Sequence, residues 1–248
     1  MSDPNKLIQE EFDRAATLFA ERTKGRFDTM DAVGFSRVAP GATVLEVGAG
    51  TANFLSLFEE IAGCLIAVDL THGMLATARS NHPDVRAVQG DGRRIPVASR
   101  TVDLVATAQA LHHIHEPVPV LTEMGRIARD TGHVLMIDQV ASERLEEALA
   151  MNELELIRDP SHAISRPPSA LRVVVQKAGL EIVDERLWEG RNVFSQWMWP
   201  GEFPEDRIER VRKSVEEHGA ETGMDFRRED GDWSFRRRRM MILARRGG

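Results

Sequence analysis

From residue 40 onward, short runs of β-branched and aliphatic residues alternate with stretches whose apolar positions recur every three or four residues. The short runs end in Gly or Asp, and this alternation is typical of βαβ units that form a parallel sheet. Seven runs have the pattern of strands, at residues 43–47, 65–69, 85–89, 102–107, 133–138, 180–188 and 240–244. The pattern predicts an α/β fold whose last two strands close the far edge of the sheet as a hairpin with a long insert.

Helical periodicity precedes and separates these strands. Helices are predicted at residues 5–22, 27–38 and 54–61, after Pro117, at 142–158 and 169–178, and after Pro204. Ser169 is the expected N-cap of its helix, and Gly179 follows the end of that helix as a left-handed cap would. Because no internal repeat or low-complexity linker interrupts the chain, the helices after residue 140 are predicted to be insertions on one domain.

The loop after the first strand, EVGAGT at residues 46–51, leads directly into a predicted helix, and Asp69 ends the second strand nineteen residues beyond Gly50. Glycines let a backbone approach a ligand, and a carboxylate at this distance accepts hydrogen bonds from ribose hydroxyls. A tight turn with a structural Asp is the alternative. Asn53 stands where dinucleotide sites have a third glycine, and Glu46 would repel a pyrophosphate. A carboxylate there would instead attract the ammonium and sulfonium of S-adenosylmethionine (SAM).

Four motifs follow one another in the chain: VLEVGAGTANF, AVDLTHGML, GDGRRIP and VDLVATAQALHHI. In this order they resemble the motifs of class I SAM-dependent methyltransferases, specifically the small-molecule branch that includes ubiquinone/menaquinone and sugar O-methyltransferases. The resemblance covers about residues 10–140. It implies a Rossmann-like, seven-stranded, mostly parallel sheet with helices on both faces, an antiparallel last strand, N-terminal helices and a helical insert before the last strand.

The resemblance also implies how the chain is divided. We expect one methyltransferase domain over residues 1–248. Its parts would be N-terminal lid helices at 1–39, a SAM-binding core at 40–140, and acceptor-side helices and closing strands at 141–248.

The cofactor implied by the resemblance is SAM, with S-adenosylhomocysteine as the product. Four residues would surround the methionine moiety: Glu46, Gly48, Gly50 and Thr51. The ribose would meet Asp69 with Leu70 and Met74 nearby, the adenine would meet Asp91 and Gly92, and the reacting methyl would lie beside Ala108 and Gln109. The sequence departs from the family pattern at Ala52-Asn53, where a Gly-rich continuation is commoner, and at Ala108, where relatives often have a small polar residue.

A hydroxyl acceptor must lose a proton as it attacks, and a positioned histidine is suited to this near neutral pH. His112, His113 and His115 follow the fourth strand, at the edge of the sheet where ligands bind in open α/β folds. In the sugar O-methyltransferases that this chain resembles, a His of LHHI and the Asp ending strand five are implicated in catalysis, which corresponds here to His112, His113 and Asp138. A histidine of LHHI that only fixes a loop is the alternative, and no metal is expected.

Segments outside the core are expected to form the acceptor site. The candidates are Phe12 and Phe19 of the first helix, His162 in the RDPSH stretch, and the pair Trp197 and Trp199. Each has a structural alternative: helix phenylalanines are often core residues, RDPSH can be a helix-stop turn, and the tryptophans can cap a small insert core. If the tryptophans line the site, its acceptor is partly apolar, such as an aromatic or polyketide-like molecule.

Composition limits the partners and catalytic groups that can be expected. The 32 basic and 39 acidic residues give a net charge of -7, which disfavours nucleic acid as a partner. The arginine run 236–239 is expected to be a solvated strand entrance or a sheet edge protected by charge. Tyrosine is absent, so a base must come from His or a carboxylate, and the single Cys64 disfavours a cysteine adduct. Neither a signal peptide nor a membrane span is apparent, so a cytoplasmic protein, monomer or homodimer, is expected.

These observations favour methylation of a small molecule, most readily at a hydroxyl oxygen. C-methylation of a quinone or polyketide-like acceptor is the alternative within enzymes. A SAM-binding regulator that transfers nothing would retain Glu46 and Asp69 as well, and a nicotinamide dehydrogenase is a more distant alternative.

Overall fold

The computed structural model describes residues 9, 12, 16, 18–198 and 203–247. Within these residues the sheet has eight strands in the order β3-β2-β1-β4-β5-β8-β6, with β7 paired to β8. The strands are β1 (Thr43–Val47), β2 (Cys64–Asp69), β3 (Arg86–Gln89), β4 (Val102–Ala108), β5 (Ala128–Gln139), β6 (Leu180–Val193), β7 (Arg227–Glu229) and β8 (Asp232–Arg246). Strands β1 to β5 pair in parallel, and β8 is antiparallel to both β5 and β6. The predicted Rossmann-like architecture is confirmed.

Seven α-helices follow the described part of the N-terminal segment. They are α1 (Ala32–Ser36), α2 (His72–Asn81), α3 (Pro117–Ile127), α4 (Leu145–Arg158), α5 (Pro168–Lys177), α6 (Phe194–Trp197) and α7 (Glu205–His218). The first predicted helix, 5–22, lies partly outside the described residues, whereas Phe12 and residues 18–23 are helical. No helix of the described residues is both long and apolar enough to cross a membrane.

The two faces of the sheet bury different apolar clusters because successive side chains of a strand point to opposite sides. On one face, Val44 and Leu104 pack with Phe54 and Phe58 from the segment after β1. On the other face, Leu45 and Val105 pack with apolar residues of α3 and α5. A third cluster, which includes Met151, Leu154, Trp197 and Phe235, joins α4, α6, α7 and the start of β8. This smaller core supports the segments that follow residue 140.

Strands β6 and β8 are much longer than predicted, and they continue as a two-stranded ribbon beyond the end of β5. The last residue pair between β5 and β8 is Gln139 with Arg239, whereas the β6–β8 pairing continues to Val193 with Ser234. One face of the ribbon is directed toward the interior of the protein and the other toward water. Arginine occupies some of the interior positions, where a strand usually has apolar residues. Its polar composition therefore hides the strand pattern, and β7 was not predicted at all.

Two local expectations are wrong. The segment 54–61 contains a single 3-10 turn, Leu55–Phe58, which buries Leu55 and Phe58 without forming an α-helix. Ser169 is not the N-cap of α5, because Pro168 takes the first helical position, where its missing N–H costs nothing. The hydroxyl of Ser169 instead donates to Glu143 at 2.5 Å.

The arginine run is not a solvated strand entrance throughout. Arg237 and Arg239 are buried, with 9% and 5% of their surface exposed, whereas Arg236 and Arg238 are half-buried. Alternate residues of a strand point to opposite faces, so the first pair lies on the interior face of the ribbon.

Candidate active site

A cavity of about 870 Å³ lies at the carboxyl ends of β1, β2 and β4. Its wall on one side consists of the loops after these strands. The interior face of the β6–β8 ribbon and the N-terminal helical segment line the other side. Ligands bind outside the carboxyl ends of the strands in open α/β sheets, so this is the expected place for a site.

The loop after β1 approaches the cavity with almost no space for side chains. Gly48 and Gly50 have φ angles of 69° and 51°, a region that favours glycine. A Cβ atom on Gly48 would lie 2.6 Å from the Cβ of Ala110. The backbone N–H groups of Gly48 and Ala49 both donate to the carbonyl of Val68, at 2.8 and 3.1 Å, which fixes the loop against β2.

Asp69 connects the loops that follow β1 and β2. One carboxylate oxygen accepts from the N–H of Gly50 at 2.8 Å, and the other accepts from the N–H of Thr71 at 2.8 Å. Burial raises the pKa of Asp69, while these hydrogen bonds oppose the shift. A carboxylate has about four acceptor sites, so it retains capacity for ligand hydroxyls on the cavity side.

Glu46 is 1% exposed, and its Oε2 atom has no hydrogen-bond partner among the described residues. Burial, and then the charge of Asp69, raises its pKa well above the ordinary value, although the Leu55 N–H donates to it. Thr51 Oγ1 and Gln109 Nε2 are also buried without a partner in this part of the chain. Unpaired buried polar atoms are rare in proteins. An unpaired carboxylate oxygen fits a ligand ammonium group, and an unpaired amide N–H fits a ligand carboxylate. The methionine end of SAM carries both groups.

Glu46 lies behind the wall and does not line the cavity, whereas the other residues implied for the cofactor border it. Leu70, Met74, Asp91, Gly92 and Ala108 all line it. A Cβ atom on Gly92 would lie 2.8 Å from Val47 Cγ1, so the backbone there is closely packed. The Asp91 carboxylate is held by the backbone N–H of Arg93 at 2.9 Å and by the Arg93 guanidinium, which lowers its pKa.

His112 and Asp138 form a buried pair at the wall of this cavity. His112 Nδ1 lies 2.6 Å from Asp138 Oδ1, and the side chains are 7% and 4% exposed. The same carboxylate oxygen accepts from the N–H of Gln139 at 2.8 Å. Burial, together with the charges of His113 and His162, lowers the pKa of His112, and burial raises the pKa of Asp138 to about 6. At neutral pH the pair is thus a neutral imidazole that donates to a carboxylate.

His113 lies beside His112, with ring centroids 4.2 Å apart, but its environment differs. Its Nδ1 is 3.1 Å from the carbonyl oxygen of Ser161 and 3.0 Å from that residue's hydroxyl oxygen, which itself donates to Asp159 at 2.6 Å. Phe12 packs edge-on against the His113 ring at 5.2 Å. His113 therefore has neutral oxygen partners where His112 has a carboxylate.

The expected acceptor residues fall into three groups. Phe12, Phe19 and Trp197 line the cavity, and Trp197 is 3% exposed. His162 lies behind His112 instead of on the wall, with ring centroids 5.7 Å apart, and its Nε2 bonds to Asn152 at 2.9 Å. Trp199 lies outside the described residues.

Several wall residues were missed by the sequence analysis. They include Arg26, Trp188, Asn192, Phe203, Arg237 and Arg239, whereas Arg158 opens the RDPSH stretch that the sequence did single out. The missed arginines come from the N-terminal segment and from β8, so no local motif unites them. The only signal available was the spacing of Arg237 and Arg239, two residues apart on one strand.

A family model described as a methyltransferase domain matches residues 45–136. The chain is 26% identical over 173 residues to the uncharacterized methyltransferase YcgJ of Bacillus subtilis, covering 68% of each chain. The solved YcgJ structure has a TM-score of 0.80 at 22% identity and covers 87% of this chain and 97% of that one.

Two kinds of relative with specific names also match. A phosphatidylethanolamine N-methyltransferase of Cereibacter sphaeroides is 31% identical over 148 residues, which is 55% of this chain and 72% of the relative. A demethylmenaquinone methyltransferase of Renibacterium salmoninarum is 30% identical over 109 residues, or 44% of this chain. That match spans only 45% of the second relative.

Proposed function

This chain belongs to the class I SAM-dependent methyltransferases, and we propose that it methylates a hydroxyl oxygen of a small molecule, with His112 as general base. The observation that carries the proposal is the buried His112–Asp138 pair, joined at 2.6 Å on the wall of the cavity. The family supplies the reaction type, and the pair supplies the group that an alcohol acceptor needs.

We assign the cofactor to the loops after β1, β2, β3 and β4. Asp69 would accept from ribose hydroxyls, Glu46 would face the ammonium group, and the close-packed Gly48 and Gly92 would let the backbone approach. When bound, SAM supplies a methyl group on a positively charged sulfur, which is already activated for transfer. The chain therefore has to hold the acceptor in line and remove its proton.

In this proposal, Nε2 of His112 takes the proton of the acceptor hydroxyl. Because Nδ1–H donates to Asp138, the tautomer with an unprotonated Nε2 is the one present at neutral pH. Asp138 then stabilises the imidazolium that forms, as the aspartate of a Ser-His-Asp triad does. His113 has no carboxylate in this position, and so we assign it to positioning of the loop and of Phe12.

The low pKa of His112 suits a base more than an acid. Burial keeps the imidazole neutral at neutral pH, so most molecules carry the base in its active form. After the proton transfer, the Asp138 carboxylate stabilises the imidazolium of His112, which offsets the cost of charging a buried ring.

The test combines product identification with substitution. A panel of phenols, alcohols and C–H acids is incubated with the enzyme and methyl-labelled SAM, and NMR locates the new methyl group. His112→Asn and Asp138→Asn should each lower kcat by about 10² to 10⁴-fold, the usual contribution of a general base. His218→Asn, at an exposed and remote histidine, is the matched control.

The outcomes separate the candidate functions. A methyl group found on carbon would favour C-methylation of a quinone or polyketide-like acceptor. Saturable binding of S-adenosylhomocysteine without any methylated product would favour a SAM-binding regulator. Full turnover by His112→Asn would refute the assigned base while leaving the methyltransferase assignment intact.

A further inference from the structure

Four arginines line the acceptor side of the cavity: Arg26, Arg158, Arg237 and Arg239. Arg158, Arg237 and Arg239 are buried and Arg26 is half-buried, and the charges of the other three lower the pKa of Arg26, after burial, to about 9. Burying a charge is costly unless an opposite charge accompanies it. The positions of the nearby carboxylates therefore show which of these arginines lacks a negatively charged partner among the described residues.

The nearby carboxylates are already engaged. Glu155 lies between Arg158 and Arg237, with nitrogen–oxygen distances of 2.9 and 3.0 Å. Asp159 is 3.9 Å from Arg158 and also accepts from Ser161. The third carboxylate, Asp138, is the partner of His112. The protein thus neutralises Arg158 and much of Arg237 with its own acidic residues.

Arg239 differs from Arg158 and Arg237 in its electrostatic environment. It is 5% exposed, it forms no ion pair with a carboxylate of the described residues, and its Nε atom is buried without a hydrogen-bond acceptor there. Its guanidinium lies over the indole of Trp188 at 5.0 Å from the ring centroid. Gly190 makes this possible, since the Trp188 ring occupies the space that a Cβ atom on Gly190 would need. Stacking fixes the plane of the guanidinium and leaves its edge for a planar or tetrahedral anion.

The position of Arg239 points to the acceptor and not to the cofactor. Arg239 pairs in register with Gln139, the residue after Asp138, and the charge of Asp138 acts on its guanidinium, so Arg239 lies at the end of β5 that carries the His112–Asp138 pair. The strands β1 and β8 are separated by β4 and β5, which places Arg239 about 14 Å from the β1 loop at the usual spacing of strands. An anion bound to Arg239 would leave room for the body of a small molecule between itself and His112, which lines the same cavity.

We infer that the methyl acceptor carries a carboxylate or phosphate group, which binds Arg239 at the ribbon wall while its hydroxyl faces His112. The proposal rests on the methyltransferase function above and names the class of its substrate. The indoles of Trp188 and Trp197 line the same wall, so an aromatic or otherwise apolar body between the hydroxyl and the anion fits the site.

Paired probes test the inference on enzyme saturated with S-adenosylhomocysteine. The first pair is 3,4-dihydroxybenzoate and 3,4-dihydroxybenzamide, and the second is phenyl phosphate and phenol, so the arms distinguish a carboxylate from a phosphate. Calorimetry should show that at least one anion binds about 10 to 100-fold more tightly than its neutral partner, the usual value of a charge-assisted hydrogen bond. Arg239→Met should abolish this preference, and Arg239→Lys should retain part of it.

The matched control is Arg238→Met, which changes the neighbouring residue on the other face of the ribbon, where Arg238 is 3.8 Å from Glu189. It should leave the preference unchanged. Equal binding of both members of each pair, no binding of either anion at millimolar concentration, or a preference that survives Arg239→Met would each overturn the inference. So would weaker binding of S-adenosylhomocysteine in Arg239→Met with an intact anion preference, because the arginine would then serve the cofactor. Failure of the unsubstituted enzyme to bind S-adenosylhomocysteine at all would instead count against the proposed function.

Discussion

Two buried glutamates, one behind each half of the cavity, have opposite electrostatic environments. Glu155, on the acceptor side, is completely buried between two arginines, and the charges of these arginines overcome burial and lower its pKa to about 2. Glu46, on the cofactor side, is equally buried, has an oxygen without a partner in the described residues, and has a raised pKa. The first glutamate is stabilised by the chain itself. The second has no such partner among the described residues, as expected of a carboxylate that would bind the ammonium group of the cofactor in the proposed function.

The strongest test of this comparison is Glu155→Gln. The substitution removes the charge that compensates Arg158 and Arg237 in a buried place, so the free energy of unfolding should fall by about 3 to 5 kcal/mol. Urea denaturation measures it, with Glu153→Gln on the exposed face of the same helix as the control. A loss below about 1 kcal/mol, the range of a surface ion pair, would mean that the arginines find other partners.

The pH dependence of that loss sharpens the test. The pKa of Glu155 is about 2 in the folded protein and 4.5 in an unfolded chain, so its contribution is complete above pH 4.5 and is lost as pH falls toward 2. The gap in stability between the unsubstituted protein and Glu155→Gln should therefore be constant near neutrality and smaller by about 2 kcal/mol at pH 3. Urea titrations at several pH values measure the gap, and a gap that does not narrow would show that Glu155 carries no lowered pKa.

The two halves also differ in how far the sequence predicts them. Glu46, Gly48 and Gly50 lie within five residues of one another. Asp69 is only 19 residues from Gly50, whose N–H donates to it. A short stretch of sequence therefore predicts much of the cofactor side. The acceptor side depends on pairs such as Arg237 with Glu155, which are 82 residues apart, and Arg237 with Gln139, which are 98 apart. Neither pair has a sequence signal, because each residue alone is typical of a solvated surface.

The ribbon shows the same difference at the level of the fold. The prediction ended the sixth strand at residue 188 and began the last one at 240, because the residues beyond are polar or charged. Strand prediction depends on apolar alternation, which requires an apolar core on one face. The interior face of the ribbon borders a polar cavity instead of an apolar core. The polar residues that line the cavity therefore remove the apolar alternation by which a strand is predicted.

On the cofactor side, Asp69→Asn should weaken binding of S-adenosylhomocysteine by about 10 to 100-fold, because a charged acceptor of ribose hydroxyls becomes a neutral one. Calorimetry measures the affinity, and exposed Asp84→Asn is the control. The anion preference assigned to Arg239 should be unaffected at saturating S-adenosylhomocysteine. Tight NADH binding with no affinity for S-adenosylhomocysteine would contradict the cofactor assignment altogether.

The smallest expected effect is on Glu46, and its sign is opposite to that of Glu155. Glu46→Gln removes a desolvated charge that has no compensating cation in the described part of the protein, so the free energy of unfolding at pH 7 should rise, by about 1 kcal/mol. The gain should shrink as pH falls, because the raised pKa lets Glu46 itself become protonated in the folded state before the unfolded chain does. The same variant should bind S-adenosylhomocysteine several-fold more weakly, since the ammonium group loses its carboxylate. Exposed Glu60→Gln is the control for both measurements. A variant that is both less stable and unchanged in affinity would make Glu46 a structural residue like Glu155, and the difference between the two halves would disappear.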